Sequence, residues 1–209
     1  MAVKVERALL TVADKSGVVE FCRELDRLGI DLVATRGTAR VLRQAGLYVQ
    51  EVAQVTGFPE VLDGRIKTLH PAIHGPIQAR RTPSHQQQLL NLSLSPIGLV
   101  VVNLRPFEEI IQRADIRPEE ALEQIDIGGG ALLRAAAKNY EAVTVVCEIG
   151  DYEIVSKALA RRRQVPNDLR AWLALKAFRM SAHYELLVAE FLSQKLAPRL
   201  KATRRRFSL

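Results

Sequence analysis

Cys22 and Cys147 are the only cysteines in the 209-residue chain. Both lie in apolar contexts without CxxC spacing, so they read as buried, inert thiols and not as a disulfide framework, redox pair or metal site. Long apolar runs are missing as well. Residues 97–103 form the longest, against the roughly 20 that a bilayer-spanning helix requires. The start, Met1-Ala-Val-Lys-Val-Glu6, has no apolar stretch of the kind a signal peptide carries, so a cytoplasmic location and no membrane partner are expected. GxSxG, GxxxxGKS/T and GxGxxG are absent, which disfavours an α/β-hydrolase, a P-loop nucleotidase and a standard dinucleotide domain. His70-Pro-Ala-Ile-His74 invites a metal reading, but Pro71 opposes a continuous helix and no Cys or carboxylate completes a ligand set, so no metal is expected.

Basic charge is abundant but localised. The net charge is +7, yet residues 1–159 are close to balanced at −2 and residues 160–209 hold 12 Lys and Arg against 3 Asp and Glu. The whole excess belongs to the C-terminal segment, where it reads as a solvated or partner-docking end; no nucleic-acid partner is expected.

Short β-rich apolar runs recur at 8–12, 31–34, 48–52, 99–102 and 143–146, and helical periodicity fills several intervals between them. That alternation predicts an α/β fold, a mainly parallel sheet with helices on both faces, because runs such as Leu99-Val-Val-Val102 suit strands covered on each side. Helices are expected over 16–28 and 38–45, closed by Gly29 and Gly46. Between 119 and 139 the pattern reads as helix, glycine break at Gly128 to Gly130, helix. A helical block over 169–196 follows Pro166. One domain is expected over 1–196, its sheet region about 1–159, with a C-terminal helical extension over 167–196 and a basic tail at 197–209.

In such sheets ligands bind beyond the carboxyl ends of the strands, so the segments after each strand carry the functional information. Thr35-Arg-Gly-Thr38, at a strand-to-helix junction, offers hydroxyls, a guanidinium and helix N-terminal amides suited to a phosphate, although Thr38 as a mere helix cap explains the motif too. Lys15 and Arg65 add positive charge. Arg65-Ile-Lys-Thr68 points two cations the same way if the loop is extended; a solvated loop has the same look. Asp126 and Lys138 form either an acid/base pair joined across the glycine bend or a surface ion pair.

Taken together, Ala13-Asp-Lys-Ser-Gly17, the stretch Val55 to Gly75 with Asp63-Gly-Arg-Ile-Lys-Thr-Leu-His-Pro71, Val102-Asn-Leu-Arg-Pro-Phe107, and Gln124-Ile-Asp-Ile-Gly-Gly-Gly-Ala-Leu-Leu-Arg-Ala-Ala-Ala-Lys-Asn139 closely resemble the IMP cyclohydrolase domain of the bifunctional AICAR transformylase/IMP cyclohydrolase family. The likeness spans about residues 7–195. It implies a methylglyoxal-synthase-like fold, closure of the purine ring of formyl-AICAR ribotide to IMP, no cofactor, and a homodimer. The transformylase domain has no counterpart in these 209 residues, so a separate AICAR transformylase is a candidate partner. By position the resemblance assigns Lys67, Asp126 and Lys138 to catalysis and Asn103 to substrate contact. Thr11, Lys15, Thr35, Arg36, Gly37, Thr38, Arg65 and Thr68, with Ile127 and Gly128, fall on ribotide-holding positions.

The departures lie in the same motifs. Arg105 stands at the family's catalytic tyrosine and is kept among the catalytic candidates: it can donate to an oxyanion but is no neutral proton donor. Arg36 replaces the first glycine of a Gly-Gly-Thr turn, where positive φ would be strained. Ala13 replaces a serine, and Thr11 and Gly130-Ala131 are milder changes. The alternative to an active cyclohydrolase is a diverged purine-ribotide-binding regulatory or partner subunit with weak or no catalysis.

Overall fold

A computed structural model describes residues 4–207, with side chains through Lys195 and at Ala197. Strands β1 (Arg7–Val12), β2 (Asp31–Ala34), β3 (Gln50–Glu51), β4 (Leu99–Asn103) and β5 (Thr144–Val146) form one all-parallel sheet in the order β3-β2-β1-β4-β5. Around it, among the described residues, run α1 (Val18–Arg27), α2 (Arg36–Gln44), α3 (Val52–Thr56), α4 (Pro71–Gln78), α5 (Pro83–Asn91), α6 (Phe107–Ile111), α7 (Pro118–Glu123), α8 (Ile127–Lys138), α9 (Tyr152–Arg162) and α10 (Asn167–Phe207).

The apolar runs become strands because both faces are covered. On β4, Leu99 and Val101 enter one core layer with Phe21, Leu25, Leu42 and Leu159 of α1, α2 and α9. Val100 and Val102 enter the other with Ile73, Ile77, Leu132 and Leu133 of α4 and α8. The period-two alternation thus fills two layers at once, as a doubly covered parallel sheet requires. The chain reverses its direction of travel across the sheet between β1 and β4, which opens a crevice at their carboxyl ends.

Gly29 (φ 63°) and Gly46 (φ 84°) close α1 and α2 as expected. Three boundaries differ from the sequence reading. The third strand shrinks to Gln50–Glu51, because Glu51 and Gln54 form a reciprocal capping box that starts α3 at Val52. The glycine run does not break a helix: α7 ends at Glu123, the break is 124–126, and Gly128 to Gly130 lie in the first turn of α8. The final helix does not stop near 196 but continues to Phe207; Ser208 and Leu209 of the expected tail lie outside the described residues.

Helix α10 packs along β5, sending Leu173 into one layer and Ala174 and Ala177 into the other, and so covers an edge that would otherwise be open. Further along, Tyr184, Val188 and Phe191 join Phe107 and Ala121 in a small separate cluster beneath α6 and α7. No helix of the described residues is long and apolar enough to cross a membrane.

Candidate active site

A cleft of about 1310 Å³ opens at the carboxyl ends of β1, β2 and β4, where the strand order reverses. Its walls bring together Thr11, Lys15, Thr35, Arg36, Gly37, Thr38, Arg65, Lys67, Thr68, Asn103, Arg105, Asp126, Ile127 and Gly128. All but one of the candidate catalytic and ribotide-holding residues meet there. The exception is Lys138.

The loop after β1 is fixed by Asn103. Its Oδ1 accepts the amides of Ala13 and Asp14 (3.0 Å to the latter), and its Nδ2 donates to the Asp14 carbonyl at 2.9 Å. The side chain expected to contact substrate thus holds a loop, and it lines the cleft as well. In that loop the Lys15 ammonium donates to the carbonyls of Val12 and Ala13. Burial lowers its pKa; Asp14 opposes the shift, while Lys67 and Arg40 add to it.

At the second junction Thr35, in extended conformation, is the N-cap residue of α2, and its side chain makes no capping bond. Thr38 is therefore not the cap. It is fully buried, and its Oγ1 accepts the Val12 amide at 3.4 Å, tying α2 to β1. The opening amides of α2 have no partner within the helix, which suits them to an anion. Arg36 begins the helix without positive φ, so the strain expected for a side chain there does not arise; its Nε lies 3.6 Å from Glu60.

Arg65, Lys67 and Thr68 follow a tight reversal in which Leu62, Asp63 and Gly64 all have positive φ, between the bridge partners Val61 and Ile66. Arg65 grips the Glu123 carboxylate with two nitrogens, Nε at 3.1 Å. Arg105 donates from Nη1 to the Glu123 carbonyl (3.3 Å) and to Gln124 Oε1 (3.1 Å). Lys67, in contrast, makes no hydrogen bond or ion pair among the described residues, so its ammonium is uncommitted within the cleft.

Asp126 is the N-cap of α8: Oδ1 accepts the Gly129 amide at 2.7 Å, while its own amide donates to Tyr184 Oη at 2.9 Å. The glycines provide room. A Cβ on Gly128 would lie 2.8 Å from Thr68 Oγ1, and one on Gly129 would lie 2.6 Å from Asp126 Oδ2 and 2.8 Å from Leu104 Cδ2. Lys138 is the last residue of α8, exposed, about 18 Å from Asp126 at the helical rise of roughly 1.5 Å per residue. The glycines do not bend the chain to unite the two. His70 Nδ1 accepts the Ala72 amide at 3.1 Å and caps α4.

Sequence reading missed Glu60, Glu123, Gln124 and Tyr184. Glu60 and Gln124 lie inside recognised motifs and Glu123 just before one, and only the fold shows that they hold arginines. Tyr184 is 58 residues from Asp126 and had no spacing signal.

The MGS-like domain family matches residues 17–131, and the AICARFT/IMPCHase bienzyme family matches 136–208. The Bifunctional purine biosynthesis protein PurH of Listeria monocytogenes serotype 4b is 49% identical over 189 residues, 90% of this chain and 37% of that protein. Its namesake from Chloroflexus aurantiacus is 52% identical over 196 residues, 93% of this chain and 38% of that protein. This chain thus spans little more than a third of the length of these relatives. Among solved structures, the crystal structure of ForH is similar with a TM-score of 0.78 and 37% identity, over 90% of this chain and 99% of that one. The chain belongs to the MGS-like domain family, with the AICARFT/IMPCHase region continuing the same sheet.

Proposed function

We propose that the chain is an IMP cyclohydrolase, closing the six-membered ring of formyl-AICAR ribotide to give IMP and water. The observation that carries this reading is that the uncommitted Lys67 ammonium and the Asp126 carboxylate open onto the cleft that also receives the N-terminus of α2. The PurH relatives support it.

In the reaction the carboxamide nitrogen attacks the formyl carbon and forms the new N–C bond. That nitrogen gives up one proton, the formyl oxygen becomes a hydroxyl, and the former formamide nitrogen loses its proton as the hydroxyl departs as water. An amide nitrogen is a weak nucleophile, so positioning, oxyanion stabilisation and proton movement must supply the rate. Lys67 stabilises and protonates the oxygen. Asp126, whose Oδ2 makes no hydrogen bond among the described residues, takes the nitrogen's proton. Thr35 and Gly37 at the start of α2, with Lys15, hold the phosphate, while buried Thr38 ties that helix to β1. Arg105 donates hydrogen bonds from the cleft wall, and Asn103 shapes the β1 loop.

The working unit is a homodimer. Trp172, Leu175, Phe178 and Leu186 leave an exposed apolar stripe on α10 of the kind a second copy covers. Lys138, at the far end of α8, meets a ribotide only in the site of that second copy. A location in the cytoplasm, and a separate transformylase as supplier of the formylated substrate, fit the same reading.

The test is ultraviolet detection of IMP formation from formyl-AICAR ribotide. Lys67→Ala and Asp126→Asn are expected to lower kcat by about 10²-fold or more while KM changes little. The second reading, a ribotide-binding subunit, is favoured by Arg105, a permanent cation tied to Glu123 and Gln124 where the family has a tyrosine. Tight IMP binding without turnover, with activity appearing in Arg105→Tyr, selects that reading.

A further inference from the structure

The carboxylate that the proposed reaction uses is held from two directions. Its side chain is fixed within α8 by the Gly129 amide, and its backbone is fixed by a residue from α10 that does not line the cleft: the Asp126 amide donates to Tyr184 Oη at 2.9 Å. Tyr184 is 7% exposed, and its ring packs 5.9 Å from that of Phe107, which is in turn edge-on to Phe191 at 5.7 Å. An apolar residue would satisfy that packing. The hydroxyl serves a different need, because an N-cap residue's own amide lies outside the helix ladder and has to find an acceptor elsewhere. Burial raises the phenol's pKa, with the Asp126 amide and Arg105 pulling the other way, so it stays protonated at neutral pH. The same short junction, 123–126, is also held by Arg65 and Arg105 from two other rim segments, so α10 provides its third anchor.

Resting on the ring-closing reading, we propose that Tyr184 is a positioning residue: by accepting the Asp126 amide it sets the point from which the carboxylate enters the cleft. It acts through Asp126 and touches no substrate itself. A misplacement of about 1 Å in a reacting group can cost on the order of 10²-fold in rate, so the effect belongs in kcat and not in ribotide affinity.

The variant Tyr184→Phe retains the ring and removes the acceptor. With formyl-AICAR ribotide, kcat is expected to fall about tenfold or more while KM stays within about twofold. Hydrogen exchange at the Asp126 amide, followed by NMR, is expected to accelerate. An unchanged kcat beside an active wild type overturns the proposal. Should the wild type show no turnover, the ring-closing reading fails by itself. The positioning claim is then decided by the amide: faster exchange in Tyr184→Phe supports it, and unchanged exchange overturns it. If Tyr184→Phe does not fold, the wild-type amide alone decides, since an unprotected Asp126 amide overturns the proposal and a protected one supports it.

Discussion

Gly129 and Gly130 are adjacent in sequence and opposite in what they tolerate. A methyl group on Gly129 meets the Asp126 carboxylate and Leu104, while on Gly130 it meets nothing within 4 Å among the described residues outside its own helix backbone and chain neighbours. Gly129→Ala is therefore expected to lower stability by about 1–3 kcal/mol through overpacking and to impair turnover. Gly130→Ala should be neutral or stabilising by up to about 1 kcal/mol, since alanine favours the helix. Thermal melts of both variants, with activity, check this. The sequence revealed that this glycine run is unusual but not why: glycine's helix-weakening tendency suggested a break, whereas close approach of Asp126 and Thr68 is what demands it. His74 gives a prediction in pH. It is half-buried on α4, its Nε2 has no partner among the described residues, and burial lowers its pKa below the usual 6.5. The unfolded chain then takes up the proton first on acidification. The stability of the neutral form is complete above about pH 6.5 and is lost as pH falls through the depressed value. The Tm drop between about pH 7 and 5 should be larger for wild type than for His74→Phe.

Strands and helices were legible wherever hydrophobic period and glycine caps agreed, as in β1, α1, β2 and β4. Ends set by side-chain bonds were not, because periodicity does not encode those: the Glu51–Gln54 box shortened a strand, and the Asp126 cap moved a helix start. Helix α10 gives the clearest case. Composition marked it as a basic block, yet its first turns carry Arg170, 2% exposed, whose guanidinium donates to the carbonyls of Tyr140 (2.7 Å), Val165 and Glu141 (3.0 Å) and to Asn167 Oδ1 at 3.2 Å. This one side chain ties the turn between α8 and β5 to the start of α10. Arg170→Met preserves much of the volume and leaves those carbonyls unpaired, so a loss of about 3 kcal/mol is expected, measurable by urea unfolding.

At the scale of the whole molecule, the rim expected of a parallel sheet is real. Residues from four separated motifs converge on it because a parallel sheet places every strand's carboxyl end on one side. Lys138 was misplaced for the same reason: a helix that starts at this rim must finish near the opposite one. That geometry makes the dimer testable by mixing. Lys138→Ala and Asp126→Asn, each impaired alone, should recover roughly a quarter of wild-type activity when subunits exchange at random, since half the dimers are mixed and each of these has one intact site. No recovery beside demonstrated exchange rejects a contribution across the interface.

The two family matches meet within α8, between 131 and 136, and every cleft-lining residue falls before that seam while Tyr184 falls after it. Recombining halves from different relatives would therefore graft a cavity onto foreign scaffolding. Such a hybrid can keep every motif of the first half intact and still aim its acid badly, unless the phenol on the long terminal helix travels with it.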